Sequence, residues 1–468
     1  MVSFSRFAHI YDLGEAVALV HSLRMKPVYL PSDIYQSLKA CLDSSKCVTI
    51  ENIPQHIQEE VRELIKCKVL VQSDDEDEQV LHFVRSRMPK PSISVCYIIL
   101  SEQCNLACKY CFLGNNSANT RKSFSHENMS VKTADKAIDF YLRQLNLSEY
   151  NEIRKPMIIF YGGEPLINFD VLEHIATRIN LLRKTENHLE NLEMSVITNG
   201  LLLNEEYLLK LKQLGIQIAI SIDGFTEETN NMRVDVSGKP VFTRILKVLN
   251  ECKRLDVNVS LSVTLSEETI KSTEHIFELI KQYDIKGLGF NILMSDDTFI
   301  LPQSYNEKAA CFIIDAFIKF RELGIYEDRI MRKLDAFTKA QMYFSDCAAT
   351  AGGQIVIVPD GRVGVCHGCV AGKKYFVSDV DDNKFDAQTD ETFLEWSQLS
   401  PVNNEKCLDC AALGICGGGC PVNAMHSNPN GTLYSIDERF CVHSKKTLEF
   451  LIKDLYDNIL SAGVENEH

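Results

Sequence analysis

Residues Cys104 to Cys111 read CNLACKYC, which sets Cys104, Cys108 and Cys111 in a C-x3-C-x2-C arrangement. Three thiols this close, in a large chain without a secretory leader, do not read as a disulfide framework. They also fall one short of the four ligands that a closed zinc site or a fully ligated iron–sulfur cluster takes. A [4Fe-4S] cube held by three cysteines keeps one iron free for an outside ligand. The plainer alternatives are a zinc knuckle or three unrelated buried thiols.

The sequence on both sides of this loop alternates between two periods. Apolar, β-branched runs occur at SVCYIIL, PMIIFYG, MSVITN, IAISID, VSLSVTL and LGFNIL. Helical periodicity lies between them near 131–147, 169–184, 205–213, 241–255, 270–283 and 305–323. This repeat predicts parallel strands with helices outside them, in a sheet covered on both faces. A nucleotide-binding Rossmann fold would also alternate in this way, but no G-x-G-x-x-G opens a helix here.

Chemistry-bearing residues fall after successive strands, where parallel α/β folds place their sites. The first strand runs into the cysteine loop. After the second come Gly162, Gly163, Glu164 and Pro165, glycines that admit close backbone approach beside a carboxylate that accepts from an ammonium. Thr198 and Asn199 follow the third strand. Ser221, Asp223 and Gly224 follow the fourth, with Arg233 further on, and Asp-Gly is also ordinary turn chemistry.

The C-terminal quarter carries a second cysteine pattern. Cys347, Gly361 and Cys366 form C-x13-G-x4-C, and Cys407, Cys410, Cys416 and Cys420 form C-x2-C-x5-C-x3-C, followed by Cys441. Asp360-Gly361 suits a tight hairpin. Gly417 to Gly419 lets backbone wrap a cluster and offer amide donors. A pair of zinc sites is the alternative. Cys41, Cys47, Cys67, Cys96, Cys252 and Cys311 sit in apolar contexts and are expected to be inert core residues.

Composition narrows the class of protein. The 468 residues allow two or three domains. The 49 basic and 64 acidic residues, a net charge of −15, argue against a general nucleic-acid binder. An acidic surface keeps a protein soluble and can attract a basic partner. The N-terminal stretch MVSFSRFAHIYDLGE has acids and no long apolar run, so no signal peptide is expected. No run approaches the roughly 18 apolar residues that span a membrane, so a cytoplasmic protein is expected. The 17 cysteines then point to metal or redox chemistry.

Residues 1–92 read as a separate unit. FAHIYDL, EAVALVHS and KPVYLP predict three short strands, and SDIYQSLKACL and PQHIQEEVRELIKCKVL predict helices. Asp74 to Glu78 reads as a solvated acidic loop, and Pro89-Lys90-Pro91 as a linker.

The three-cysteine loop, with Tyr110 directly before its last cysteine, resembles the signature of the radical S-adenosylmethionine (SAM) enzymes. That resemblance implies a partial (β/α)6 barrel over 93–323 and a [4Fe-4S] cluster on Cys104, Cys108 and Cys111. The open iron of that cluster would chelate SAM, with Tyr110 near the adenine. It further implies that Gly162, Gly163 and Glu164 hold the SAM amino group, that Thr198 and Asn199 offer donors, and that Ser221 and Arg233 meet its ribose or carboxylate. The seven later cysteines resemble a SPASM domain over 347–443, with 324–346 as a bridge and 444–468 as a C-terminal helix and tail.

The resemblance places one auxiliary [4Fe-4S] cluster on Cys407, Cys410, Cys416 and Cys441. A second would lie on Cys347, Cys366 and Cys420, giving three clusters in all. Relatives supply an eighth cysteine before the first of these, and KAQMYFSD has none; either Cys369 substitutes or one iron is open to a substrate thiolate. Residues 1–92 resemble the winged-helix-like module that binds leader peptides by adding an extended strand to a sheet edge, with a capping extension as the alternative.

The implied function is a peptide maturase that cleaves SAM to a 5′-deoxyadenosyl radical, with a flavodoxin- or ferredoxin-type reductant. It would abstract hydrogen from a ribosomal precursor peptide and install cross-links, first of all cysteine thioethers. The alternatives are a C–C or C–O peptide cyclase, an anaerobic sulfatase-maturating enzyme and a non-catalytic iron–sulfur carrier. His367 stands after Cys366, where the sulfatase-maturating enzymes have an aspartate, and is either a proton acceptor or a structural residue.

Overall fold

The computed structural model describes residues 2–44, 49–73, 75–111, 113, 127–148, 155–271, 273–294, 300–428 and 430–465; Cys47 and Asp74 lie outside the described residues. The chain opens with strands β1 (Ser3–Phe4), β2 (Ala8–Asp12), β3 (Ala16–His21) and β4 (Val28–Pro31), then helices α1 (Ser32–Ser44) and α2 (Gln58–Lys66) and strand β5 (Leu70–Val71). β2, β3 and β4 form an antiparallel sheet in that order, and β1 pairs with β5. Every residue of β3 is buried because both of its faces are covered. Val17 and Leu19 pack on Leu38, Val61 and Leu64, while Ala18 and Val20 pack on Leu448, Leu451 and Ile452 near the C-terminus. Tyr29 Oη donates to Ile452 O at 2.8 Å across the same contact.

The acidic run is not the loop expected from its charge. Asp75 to Glu78 form the first turn of α3 (Asp75–Ser86), where carboxylates meet the positive end of the helix dipole. Asp77 is buried and accepts from Ser5 Oγ at 2.6 Å and Arg6 N at 2.8 Å, which ties the helix to the start of the chain.

His21, at the end of β3, has no exposed surface, and burial holds its imidazole down at about 4. Its Nδ1 accepts from Leu23 N at 3.2 Å. The folded value is depressed, so the unfolded chain binds the extra proton, and the stability due to neutral His21 is lost as pH falls from 6.5 toward 4. Between pH 7.5 and 5.5 this one group should cost about 1.4 kcal/mol of unfolding free energy. Urea unfolding of His21→Phe should show a pH dependence flatter by that amount; an equal slope in both proteins would contradict it.

Six strand–helix units follow: β6 (Val95–Ser101), α4 (Val131–Leu147), β7 (Met157–Gly162), α5 (Phe169–Leu182), β8 (Glu193–Thr198), α6 (Glu205–Leu214), β9 (Ile216–Ile222), α7 (Phe242–Arg254), β10 (Val259–Leu265), α8 (Glu274–Tyr283), β11 (Gly287–Ile292) and α9 (Tyr305–Glu322). The six strands pair in parallel and in chain order. Alternate residues such as Cys96, Ile98 and Leu100 turn to the helices and enter one continuous core. Helix starts are fixed locally: Ser130 accepts from Thr133 N, and Asn204 from Tyr207 N.

The sheet runs past these six strands at both edges. β12 (Tyr326–Glu327), just before α10 (Asp328–Thr338), pairs with β11. On the other side β13 (Gln354–Ile357) lies parallel to β6, and β14 (Arg362–Gly364) and β15 (Phe376–Asp379) continue antiparallel, giving an open ten-stranded sheet. The β13–β14 hairpin turns at Asp360-Gly361, with Gly361 at φ +92°. The cysteine-rich C-terminal region therefore shares its first hairpin with the central sheet. Short helices α11 (Glu391–Ser397), α12 (Leu413–Cys416) and α13 (Pro421–Ser427) lead to α14 (Glu438–Glu465). Among the described residues no helix is long and apolar enough to cross a membrane.

Candidate active site

The site forms because four loops after consecutive strands are locked to one another. Gly163 N donates to Ser101 O at 2.9 Å and Glu164 N to Gln103 O at 2.8 Å, so the loop after β7 lies flat on the one after β6. A Cβ on Gly162 would stand 2.2 Å from Ser101 O, and one on Gly163 2.3 Å from Gln103 O. The glycines thus serve contact with the cysteine loop's own backbone. Glu164 is buried and reaches the next loop: it accepts from Thr198 Oγ1 at 2.6 Å, Asn199 N at 2.8 Å and Leu166 N at 3.1 Å. Burial raises its carboxyl above the ordinary range, while these hydrogen bonds oppose the rise. Asn199 Nδ2 returns to the cysteine loop, donating to Asn105 Oδ1 at 2.7 Å and to Cys104 Sγ at 3.8 Å.

The loop after β9 closes the ring. Asp223 is fully buried, and its Oδ1 accepts from Arg233 Nε at 3.1 Å, from Arg233 Nη2 at 3.0 Å and from Tyr110 Oη. Arg233 Nη2 also donates to Tyr110 Oη at 2.7 Å. Asp223 is therefore more than the turn residue its Asp-Gly context allows, since it joins Tyr110 to Arg233. Its burial could not be read from the dipeptide; the signal was the arginine ten residues on.

Burial pushes the Cys104 thiol up to about 12 and Cys108 up to about 11, and the Cys104 sulfur also feels those of Cys108 and Cys111. Such thiols become thiolates only when a cation offsets the charge, which is what cluster iron supplies. The donor set fits a cluster. Among the described residues no three His, Cys, Asp or Glu side chains are placed to hold a single metal ion.

A cavity of about 1670 Å³ is lined by this ring and reaches the opposite strand ends at Ser94 and Met157, with Phe344 also in its lining. Its walls differ. Tyr97 and Tyr161 form one wall with His367, which stacks on Tyr97 at 4.3 Å and meets Tyr161 edge-on at 5.3 Å. Ser221, Ser262, Thr264 and Asn291 form the other, with Asn291 Nδ2 donating to Ser262 Oγ at 3.0 Å. Burial drives the His367 imidazole down to about 4, so it is neutral at physiological pH.

The later cysteines gather into two groups. Cys441 interacts with Cys416, Cys407 and Cys410, and burial raises its thiol. Burial together with Cys366 raises the Cys347 and Cys420 thiols, and Cys369 lies in the turn that Cys366 caps, with Cys369 N donating to Cys366 O at 3.1 Å. α10, in a stretch to which the sequence assigned no chemistry, supplies buried cations beside them. Lys333 Nζ donates to Ile415 O and Cys416 O, both at 3.2 Å, and Arg329 pairs with Asp346 at 3.1 Å. Of the cysteines expected in the core, Cys67, Cys96 and Cys252 are buried and Cys41 is half-buried, but Cys311 is exposed on the outer face of α9.

Residues 98–280 match the family model for the radical SAM superfamily. Over these residues the chain resembles the radical SAM enzymes, and the relatives it resembles modify peptides and proteins. That superfamily uses a [4Fe-4S] cluster and SAM.

Among curated relatives, the radical SAM cyclopropyl synthase TigE of Paramaledivibacter caminithermalis is 23% identical over 77% of this chain and 74% of its own. The cysteine-type anaerobic sulfatase-maturating enzyme of Clostridium novyi is 24% identical over 78% and 96%. In fold, the chain matches native anSMEcpe with bound AdoMet and Cp18Cys peptide (TM-score 0.62, 20% identity, 78% of this chain and 99% of that one). It also matches Streptococcus suis SuiB bound to precursor peptide SuiA (TM-score 0.50, 16% identity, 94% and 99%).

Proposed function

We propose that this chain is a peptide maturase that removes hydrogen from a ribosomally made precursor and closes a cross-link in it. When bound, the cluster on Cys104, Cys108 and Cys111 together with SAM supplies a 5′-deoxyadenosyl radical. Glu164, Thr198, Asn199, Ser221 and Arg233 hold the SAM, with Tyr110 beside them. The observation that carries the reading is the single cavity joining Cys104 and Cys108 to Cys347, Cys366 and Cys420. A substrate carbon held there would lie between the residues that would hold the radical source and those that would hold an electron acceptor, and the cavity's task is to fix its position. Two auxiliary clusters, on the cysteines assigned above, are part of the proposal, as are a flavodoxin- or ferredoxin-type reductant and a cytoplasmic setting.

Residues 1–92 are the leader-binding unit in this reading, followed by the radical SAM unit over 93–323, the bridge, the SPASM unit over 347–443 and the C-terminal helix. Support comes from β4, an edge strand of its sheet. Val28 and Leu30 of β4, with Glu59, Glu63 and Lys66 of α2, line a groove alongside that edge, where an extended peptide can pair.

The first bond proposed is a cysteine thioether. Carbon–carbon ring closure is the second, because TigE is named a cyclopropyl synthase. Formylglycine formation also has support from the sulfatase-maturating relative. Anaerobic co-expression with the small peptide encoded beside the gene, followed by mass spectrometry, separates them. Loss of two hydrogens with a blocked thiol indicates a thioether, and the same loss with alkylatable cysteine indicates a carbon–carbon bond. A hydrazide-reactive aldehyde indicates formylglycine. An unchanged mass would refute the maturase reading.

A further inference from the structure

We propose that Cys369 is the fourth thiolate of the site formed by Cys347, Cys366 and Cys420, so that no iron of that cluster is open to a substrate thiol. The inference rests on the auxiliary-cluster reading above and goes beyond it by deciding how the cluster can act. Cys366 and Cys369 share the C-x2-C spacing of Cys108–Cys111 and Cys407–Cys410. A short turn over His367–Cys369, capped by Cys366, makes that spacing a hook. Gly368 N donates to Cys366 Sγ at 3.3 Å, and Cys369 N to Cys366 O at 3.1 Å. An amide that donates to one sulfur while the turn brings up the next is the local geometry of a cluster ligand pair. The neighbouring Cys369 thiol and burial push the Cys366 thiol up, and burial together with Cys366 raises the Cys347 and Cys420 thiols.

Position supports the same conclusion. Cys347, Cys366 and Cys420 line the cavity, whereas Cys369 does not and packs into the core at 8% exposure. The Cys369 thiol therefore lies off the cavity wall, on the protein side of the other three. His367, between the two thiols, is fixed by its stack on Tyr97, so the hook is held against the cavity wall. With all corners held by the chain, substrate sulfur reaches this site only as an electron donor. A carbon radical that closes onto a substrate thiol forms the C–S bond and breaks the S–H bond, giving its proton to solvent and one electron to an acceptor; a cluster held by these four thiolates would supply that acceptor without binding the sulfur.

The test uses the full chain carrying Cys104→Ala, Cys108→Ala and Cys111→Ala, which leaves only the auxiliary sites. Anaerobically reconstituted, this background should hold about eight irons, four per cube. Its reduced electron paramagnetic resonance (EPR) spectrum should not change when 2-mercaptoethanol is added. Adding Cys369→Ala should alter one of the two cluster signals and make that signal respond to the thiol. Cys369→Ser should keep its iron with a shifted signal, which separates ligand loss from misfolding. A background spectrum that shifts with 2-mercaptoethanol would overturn the proposal, as would a Cys369→Ala spectrum identical to the background. A background holding no iron would instead remove the auxiliary-cluster reading itself, and the proposal with it.

Discussion

Gly163→Ala should yield a folded protein that assembles the Cys104 cluster poorly and makes about 100-fold less 5′-deoxyadenosine. The added methyl would lie 2.3 Å from Gln103 O, 2.6 Å from Gln103 C and 2.9 Å from Glu102 O. All three are backbone atoms, so no side chain can swing away. One loop must lift by about an ångström to restore ordinary contact. The loop that lifts carries Cys104 one residue later, and Glu164 on the other side loses its registry with Thr198 and Asn199. Misplacement of this size at a reacting centre costs on the order of 100-fold in rate. Iron content and 5′-deoxyadenosine yield check this. Near-normal values for both would show that the two loops are not rigidly coupled.

The second large effect is expected at Asp223. Asp223→Ala leaves the Arg233 guanidinium, 8% exposed, without its counter-charge and Tyr110 without its acceptor. Removing one partner of a buried ion pair costs about 3–5 kcal/mol. Asp223→Asn keeps an acceptor and loses the charge, so about 1.5–3 kcal/mol is expected, the range for hydrogen bonds to charged groups. Arg233 also interacts with the Cys108 sulfur, so the loss should be felt as weaker SAM binding. Equilibrium unfolding and SAM affinity, measured on both variants, check the order: Ala worse than Asn, and Asn worse than the native residue. Equal values for all three would mean that the Asp223–Arg233–Tyr110 contact carries no weight.

Much of this was legible before any coordinates. The six parallel strands lie within a residue or two of the apolar runs, but the sheet is not covered on both faces as expected: β8 to β11 bury alternate residues, and Ser221, Ser262, Thr264 and Asn291 on their other face line the cavity. The turn at Asp360-Gly361 was readable from its residue types. The helix at Asp75 was not, since a block of acids reads as solvated until Ser5 and Arg6, some seventy residues away, supply its donors. For the same reason α10 carried no signal: Lys333 matters through the carbonyls of Ile415 and Cys416, a contact that only the folded chain makes. Cys311 misled in the other direction. Its apolar neighbours belong to the buried face of α9, and the cysteine sits on the opposite one. The glycines after β7 were expected to let backbone approach a ligand; what they approach in the fold is the backbone of the cysteine loop.

The most direct test is to incubate anaerobically purified, dithionite-reduced enzyme with SAM and measure 5′-deoxyadenosine by chromatography. The native chain should produce it, and the variant with Cys104, Cys108 and Cys111 changed to alanine should produce none. A native chain that makes none, or a triple variant that makes as much, would contradict the assignment of those three thiols as the seat of the chemistry.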